Sequence, residues 1–273
     1  MPADENQLLR FIAYAHRRSL APATISVYVA GIASLHTLQG LPPPVAGHRV
    51  RLALKAVQEA SISTNKKAPI TYKLLVQMCL LLDSWEMCLL WKAMITLGFY
   101  GALRGSEYAA VAENGTIVAP IVAHLQFNTD LSHPAMVFTI PKSKTRRHPI
   151  TVPIGCSETD CCAVCTMQQY LLYRAQCGTL HQNGYLFIDS YGRPITKQQL
   201  TSVIKQLIYL LGLDSVKYSS HSLRSGAATC AHQAGFTESQ IKALGHWASQ
   251  AYAGYITHTD TQAFTYSRRL TTQ

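Results

Sequence analysis

The sequence predicts a mainly α protein with a small antiparallel β-sheet, an α+β chain built as two domains. Apolar residues recur at helical spacing along most of its 273 residues, and segments typical of strands are confined to its middle third. A polar, basic segment that ends in proline, residues 61–69, separates three predicted helices from the rest. We therefore expect a helical domain at 1–66 and a larger domain at 67–273.

The first domain is expected to contain three helices. Leucine and isoleucine recur at helical spacing in residues 5–17. The second helix begins at Pro22, because the first turn of a helix does not use that backbone N–H, and it stops at Gly40. The third covers about residues 49–60. This domain is therefore small and all-helical.

The second domain is expected to mix helices with strands. Its predicted elements are, in order, helices at 71–82 and 86–100, strands at 116–127, 136–140 and 150–154, and helices at 163–176 and 197–211. The last two strands flank residues 141–147, Pro-Lys-Ser-Lys-Thr-Arg-Arg. We expect a β-hairpin there, with four cationic side chains in its loop.

The composition describes a globular chain, and its charge favours a polyanionic partner. Apolar residues make up 48% and charged residues 14%; lysine plus arginine is 24 against 14 acids, a net charge of +10. This balance favours nucleic acid over a membrane surface. No apolar run reaches the ~18 residues of a membrane span, and no signal peptide is recognisable. The eight cysteines are therefore expected in a reducing compartment, mostly as thiols.

The candidate chemistry is concentrated near the C-terminus. His221 and Arg224 are three residues apart and share one face of a predicted helix. His246 follows after a further helix and a glycine turn, and Tyr255 comes nine residues later. Arginine grips phosphate oxygens, histidine moves protons near neutral pH, and tyrosine attacks phosphorus covalently. The set predicts phosphate chemistry, with Tyr252 as an alternative nucleophile.

Two further cationic residues are candidates for the same site. Arg104 follows an apolar helix and, taken alone, is interpreted as half of an exposed ion pair with Glu107. Glycines flank Arg104 and allow a close backbone approach, which favours a functional role. In the basic hairpin, Lys144 is the first candidate and Lys142 the second for protonating a leaving oxygen. An ordinary charged hairpin is the commoner alternative.

A cluster of cysteines raises the question of a metal. Four of the eight fall close together, at Cys156, Cys161, Cys162 and Cys165. The Cys162-x-x-Cys165 pair has zinc-ligand spacing, and Cys177 or His181 would complete a set of four. A zinc ribbon needs a second such pair, which the sequence lacks. Two interpretations of the cluster therefore remain, a zinc site and a group of free thiols. No GxxxxGK or GxGxxG loop is present, so no nucleotide cofactor is expected.

In order and spacing, these pieces resemble the tyrosine recombinase (phage integrase) superfamily over about residues 67–258. The matching motifs are Gly-x-Leu-Arg-x-Ser-Glu at 101–107, the hairpin lysine, His-x-Leu-Arg at 221–224, Leu-Gly-His at 244–246, and Tyr255. The N-terminal helices resemble a shortened form of the family's SAM-like core-binding domain, which binds DNA. The Tyr-x-x-Tyr-Ile ending and the cysteine-bearing insert resemble recombinases of eukaryotic mobile elements of the DIRS, Ngaro or Crypton type.

The resemblance implies a DNA strand-transfer enzyme. Tyr255 would attack a DNA phosphodiester and form a 3′-phosphotyrosine, while Lys144 would protonate the leaving 5′-oxygen. No metal and no nucleotide cofactor would be needed, because the bond energy is kept in the phosphotyrosine. The partners implied are double-stranded DNA and further copies of the chain, as a tetramer on two DNA sites. The likeness to eukaryotic elements implies action in the nucleus.

The resemblance also assigns roles to the other predicted site residues. Arg104 and Arg224 would clamp the non-bridging oxygens and stabilise the charged transition state. His221 would handle the tyrosine proton, and His246 would hold the phosphate by a hydrogen bond. A decayed or domesticated DNA-binding protein and a type IB topoisomerase are the alternatives within this chemistry. A protein whose basic charge is incidental is a third, and it would place these side chains far apart.

Overall fold

The computed structural model describes residues 2–60, 67–113, 115–128, 134–140, 148–247 and 249–256. They divide into two compact units, Met1–Lys66 and Lys67–Gln273. The predicted fold class is confirmed, because the described residues are mainly helical with two small antiparallel sheets. Across the described ranges, no helix has the length and apolar character needed to cross a bilayer.

The first unit is a three-helix arrangement around its own small core. Its helices are α1 (Glu5–Arg17), α2 (Pro22–Leu38) and α3 (His48–Ala60). Asp4 begins α1 with a capping box, in which its carboxylate accepts the Gln7 N–H at 2.7 Å. The buried apolar residues come from all three helices, and include Leu8, Ile12, Ile25, Val29 and Val50. Helical periodicity predicted these helices to within two residues at each end.

The second unit is built around one strongly buried helix. Its helices are α4 (Tyr72–Leu82), α5 (Cys88–Tyr100), α6 (Gly105–Tyr108), α7 (Ala163–Gln176), α8 (Lys197–Leu210), α9 (His221–Gln233) and α10 (Glu238–Leu244). Helix α5 packs against α4, α7 and α9, and most of its residues are buried. A Cβ atom at Gly98 would lie 2.3 Å from Tyr108 Oη, so glycine makes room for α6 beside α5. Helix α5 begins at Cys88 rather than at the predicted residue 86, because Met87 has a left-handed φ of 60°.

Within the part of the chain that the structure describes, five short strands form two antiparallel sheets. They are β1 (Val111–Glu113), β2 (Thr116–Val118), β3 (Leu125–Asn128), β4 (Ala135–Ile140) and β5 (Ile150–Gly155). Strands β1 and β2 pair with each other, and the second sheet has the order β3-β4-β5. The register of β4 and β5 pairs Phe138 with Val152 and Ile140 with Ile150. The predicted pairing across the basic segment is thus present, whereas residues 141–147 themselves lie outside the described residues.

The prediction of one continuous strand at 116–127 is wrong. The structure divides this stretch into β2, a 3₁₀ turn at Val122–His124, and the start of β3. Pro120 lies in its middle, where proline cannot donate to a ladder. Its carbonyl oxygen instead accepts the Leu186 N–H at 2.8 Å, and the Val122 N–H donates to Gly184 at 2.9 Å. Apolar composition alone did not reveal this break.

Candidate active site

Helix α9 carries two predicted site residues, His221 and Arg224, in its first turn. The segment before α4 crosses this turn, and the Ile70 N–H donates to the Ser222 carbonyl oxygen at 2.9 Å. A Cβ atom at Gly226 would lie 1.8 Å from the Ile70 carbonyl oxygen, so glycine alone lets the two backbones approach this closely. Backbone contacts therefore fix the turn from which both side chains project.

The Arg224 side chain is a buried cation, and the residue is 0% exposed. Its Nη1 donates to the Ala102 carbonyl oxygen, and its Nη2 donates to the Gly245 carbonyl oxygen at 2.6 Å. Within the described residues, its Nε has no hydrogen-bond partner. Burial, and after it the charge of Arg104, lowers the pKa of Arg224 to about 10, which leaves it charged at neutral pH. A buried guanidinium with an unused N–H is suited to binding an anion.

Two aromatic rings cover this guanidinium. The Cζ of Arg224 lies 4.1 Å from the centroid of a Trp247 ring and 5.4 Å from the Tyr255 ring. The centroids of the two rings are 5.2 Å apart. Cation–π contacts of this kind are strongest where water is excluded. Sequence reasoning did not select Trp247, and the available signal was its position directly after the predicted site residue His246.

The rings of His221 and Tyr255 contact each other. Their ring centroids are 4.9 Å apart, with 46° between the ring planes. The Thr229 Oγ1 donates to the Tyr255 carbonyl oxygen at 3.3 Å, which ties the 3₁₀ helix Gln250–Tyr255 to α9. The phenol is thus held between an imidazole and a guanidinium.

The charges around His221 favour its neutral form. Burial lowers the pKa of His221, and the positive charges of Arg224, Lys197 and Arg104 lower it further. Lys197 is an exposed residue that begins α8, and its Cγ would lie 3.3 Å from a Cβ atom at Gly105. No spacing in the sequence indicated that Lys197 joins this site. A neutral imidazole beside a phenol is able to accept its proton.

Arg104 is held in place by Glu107. Arg104 Nη1 lies 2.7 Å from Glu107 Oε1, and the Arg104 N–H donates to Glu107 Oε2 at 2.6 Å. The interpretation as an exposed ion pair does not hold, because the Glu107 side chain is only 5% exposed. A Cβ atom at Gly105 would lie 2.6 Å from Ser220 Oγ, so glycine brings this loop against the start of α9. The arginine is therefore pre-oriented beside Arg224.

His246 lies in the turn that follows α10. It has a left-handed φ of 54°, an unusual conformation for a residue with a side chain. The preceding Gly245 supplies the carbonyl oxygen that accepts the bond from Arg224. A Cβ atom at Gly245 would lie 1.8 Å from the Trp247 ring, so glycine lets the indole fold back over the turn. This turn therefore brings one carbonyl and one ring to the same guanidinium.

Tyr252, the alternative nucleophile, contacts a different set of groups. The Nζ of Lys242 lies 5.6 Å from its ring centroid, and the Trp247 ring lies 6.5 Å away. Partial burial, followed by the Glu238 carboxylate, raises the pKa of Tyr252. Its phenol thus lies among surface residues of α10. The Tyr255 ring, in contrast, contacts His221 and Arg224.

The structure brings most of the predicted site residues together. The side chains of Arg104, His221, Arg224 and Tyr255 share one site, and His246 lies in the adjoining turn. This arrangement favours the interpretation as phosphate chemistry over the interpretation in which the basic charge is incidental. Lys144 and its alternative Lys142 lie outside the described residues, so their role stays a prediction.

The chain is similar in sequence to one protein family and to a recombinase homolog. The chain matches the phage integrase family over residues 123–263, just over half of its length. It is 27% identical over 231 residues to a protein of Selenomonas ruminantium described as an integrase/recombinase xerD homolog. That match covers 77% of this chain and 60% of the relative, so the chain spans about three fifths of that protein's length.

Solved structures share the fold at low sequence identity. The Tn1549 transposon integrase in complex with transposon right end DNA gives a TM-score of 0.65 at 14% identity, covering 98% of this chain and 85% of that one. The XerH site-specific recombinase bound to palindromic difH substrate gives 0.63 at 15% identity, covering 97% and 69%. A lambda integrase dimer bound to a core site gives 0.53 at 14% identity, covering 93% and 65%.

The fold is therefore that of the tyrosine recombinases. The chain belongs to the phage integrase family, as the match over residues 123–263 shows.

Proposed function

We propose that this chain cleaves and rejoins double-stranded DNA through a 3′-phosphotyrosine intermediate on Tyr255. The observation that carries the proposal is the buried Arg224 guanidinium, which has an unused N–H and lies in contact with the Tyr255 ring. Burying a cation costs free energy that binding of an anion offsets. A DNA phosphate carries negative charge, and its oxygens accept hydrogen bonds from the guanidinium N–H groups. The adjacent His221 and the oriented Arg104 supply the remaining functions.

In the first step, a DNA phosphate binds between Arg104 and Arg224, and its non-bridging oxygens accept their N–H groups. Tyr255 Oη attacks phosphorus, its proton passes to His221, and the bond from phosphorus to the 5′-oxygen breaks. Both guanidinium groups then stabilise the additional negative charge that develops in the transition state. The favoured neutral form of His221 suits it to receive this proton.

The leaving 5′-oxygen needs a proton, which we assign to Lys144, with Lys142 as the alternative. His246 donates a hydrogen bond to the phosphate from the turn beside Arg224. In the second step, a 5′-hydroxyl from another strand attacks the phosphotyrosine and passes its proton to the lysine. The bond from phosphorus to Tyr255 Oη breaks, and His221 returns a proton to the tyrosine. Phosphodiester bonds are conserved overall, so neither a metal nor a nucleotide cofactor takes part in strand transfer.

Double-stranded DNA is the proposed substrate and partner. The net charge of +10 supports affinity for the phosphate backbone, and such binding weakens steeply as salt rises. We assign the first unit, Met1–Lys66, as a core-binding domain that adds DNA contacts. Strand exchange between two DNA sites requires four active sites, so the active assembly is a tetramer of this chain.

The biological setting we propose is the integration of a mobile element. The Tyr-x-x-Tyr-Ile ending and the cysteine-bearing insert support a recombinase of the DIRS, Ngaro or Crypton type, acting in the nucleus. Among the structural relatives, one is a transposon integrase, which supports the same setting.

A nicked suicide substrate tests the proposal, because the short cleaved strand diffuses away and traps the covalent protein–DNA adduct. We expect an adduct in Mg²⁺-free buffer from the natural chain and from Tyr252→Phe, and none from Tyr255→Phe. An adduct lost only in Tyr252→Phe would keep the enzyme class and overturn the assigned nucleophile. Salt-sensitive DNA binding with no adduct from any protein would instead indicate a DNA-binding protein without cleavage activity. Relaxation of supercoiled DNA without strand exchange would indicate a topoisomerase.

A further inference from the structure

Three cysteines meet where strand β5 passes into helix α7. Cys156 directly follows β5, Cys162 occupies the N-cap position of α7, and Cys165 lies in its first turn. The three Sγ atoms all lie within 4.8 Å of one another. Cys162 is buried, and the other two are partly buried. None of these residues takes part in the site described above.

The sulfur separations match a tetrahedral metal site. The Cys156 Sγ lies 3.4 Å from the Cys162 Sγ and 3.7 Å from the Cys165 Sγ. Zinc–thiolate bonds of about 2.3 Å at tetrahedral angles place neighbouring sulfurs about 3.8 Å apart. A disulfide would instead bring two sulfurs to about 2.05 Å. Three mutually adjacent sulfurs at these distances are therefore arranged as ligands around a common centre.

The surroundings also favour thiolate ligands. The Ser157 N–H donates to the Cys162 Sγ at 3.4 Å, which is the kind of bond that orients a metal-bound sulfur. Cys162 occupies the N-cap of a fourteen-residue helix, where the helix dipole stabilises negative charge. The strand end and the helix start therefore supply both the sulfurs and part of their electrostatic support.

The fourth cysteine of the cluster faces elsewhere. Cys161 is buried, and its thiol interacts with that of Cys79 on α4, as the raised pKa of Cys79 reflects. Cys177 is the exposed C-cap residue of α7, twelve residues after Cys165 (177 − 165). Cys161 is therefore separate from the three-sulfur group. Cys177 and His181, the two residues that sequence spacing suggested as a fourth ligand, are also not in the group of described residues whose ligand atoms lie within 4.8 Å of one another.

We propose that Cys156, Cys162 and Cys165 bind one Zn²⁺ ion that holds the end of β5 to the start of α7. Binding replaces three S–H bonds with three Zn–S bonds and releases the protons to solvent. A fourth ligand, water or one further side chain, completes the tetrahedron. The ion is structural: it fixes the sheet whose β4–β5 connection carries the basic segment 141–147, and it takes no part in strand transfer.

Metal content and cobalt spectroscopy test this site directly. We expect about one zinc per chain in protein purified under reducing conditions, and near-complete loss of that zinc in Cys162→Ser. Cys177→Ser, a change at the other end of the same helix, is the matched control and retains the metal. Should Cys162→Ser fail to fold, Co²⁺ titration of the natural chain after zinc removal gives the same information, because thiolate-to-cobalt charge-transfer bands count the sulfur ligands.

One combination of results supports the zinc site, and three other results overturn it. Zinc bound by the natural chain and by Cys177→Ser but not by Cys162→Ser, with a three-sulfur tetrahedral cobalt spectrum, supports the site. A natural chain that is metal-free and stays so after incubation with Zn²⁺ under reducing conditions overturns it. So does zinc retained in Cys162→Ser, which would place the ion elsewhere, or a stable disulfide within the group. Because the readout is metal content, the result is independent of whether the chain cleaves DNA.

Discussion

The Tyr255 ring lies 5.4 Å from the Arg224 guanidinium, so the assigned nucleophile covers the cation that is assigned to bind its target. The Trp247 ring lies against the same guanidinium, with its centroid 4.1 Å from Cζ, and no part of Arg224 is exposed. A phosphate therefore reaches this arginine only when the aromatic cover moves.

Removing the indole should destabilise the second unit. Trp247 is only 6% exposed and packs on Arg224 and Tyr255. For Trp247→Ala, lost burial and lost packing together predict a decrease in the free energy of unfolding of about 3 kcal/mol or more. Trp247→Phe, which keeps an aromatic ring over the guanidinium, should cost less than half as much. Urea unfolding followed by circular dichroism measures both; a change below about 1 kcal/mol for the alanine variant would contradict the packing role.

Glu107 should act on cleavage through Arg104 rather than on DNA affinity. Its carboxylate accepts two N–H groups of Arg104 while remaining almost fully buried. Glu107→Gln keeps the size but weakens this hold, so we expect adduct formation to slow by about 10- to 100-fold. DNA affinity should change little, since the Glu107 side chain is buried and its carboxylate is occupied by Arg104. Glu113→Gln, at an exposed position on β1, is the control and should leave both quantities unchanged. Equal losses in rate and affinity would argue against a positioning role.

The pH dependence of cleavage should follow the protonation state of His221. Its pKa is lowered, so its neutral form is favoured at and above neutral pH. Cleavage should therefore fall as pH drops through that lowered pKa, and should be level above it. Lys197→Gln removes a positive charge that lowers the pKa of His221, so the acid limb should move to higher pH. Lys205→Gln, on the same helix and exposed, should leave the profile in place. An unchanged acid limb in Lys197→Gln would show that the charge of this lysine does not lower the pKa of His221.

Gly226 should be intolerant of any side chain. A Cβ atom there would lie 1.8 Å from the Ile70 carbonyl oxygen, which is backbone and has little freedom to move. Gly226→Ala should lower the free energy of unfolding by about 3 kcal/mol or more, at the upper end of overpacking effects. Gly155→Ala, where a Cβ atom meets nothing within 4 Å, should be nearly neutral. Thermal unfolding of the two variants compares them; equal melting temperatures would mean that the crossing at Ile70 is not as tight as described.

The sequence predicted the helices well because each buries one apolar face, and burial at helical spacing is a local signal. It failed at residues 116–127, where Pro120 and long-range bonds to residues 184–186 interrupt the run. Such bonds join segments that are distant in the chain, so no local pattern contains them. The start of α5 was missed for a related reason, since a left-handed Met87 is not evident from composition.

The site residues also divide into those with a local sequence signal and those that only the fold brings to the site. Arg104, His221, Arg224 and Tyr255 were selected because their residue types and order suit phosphate chemistry, and the structure places them in one site. Trp247 and Lys197 were missed because their contribution depends on folding. A glycine lets the Trp247 ring turn back over the guanidinium, and Lys197 begins α8, which only the fold brings beside Gly105.

The most direct measurement is the chemical identity of the protein–DNA linkage. The trapped adduct would be digested with nuclease and protease, and the nucleotide-bearing peptide sequenced by mass spectrometry. We predict a single modified peptide, with the nucleotide joined through its 3′-phosphate to Tyr255. A nucleotide on Tyr252 or on any other residue, or a linkage through a 5′-phosphate, would contradict the proposed strand-transfer chemistry.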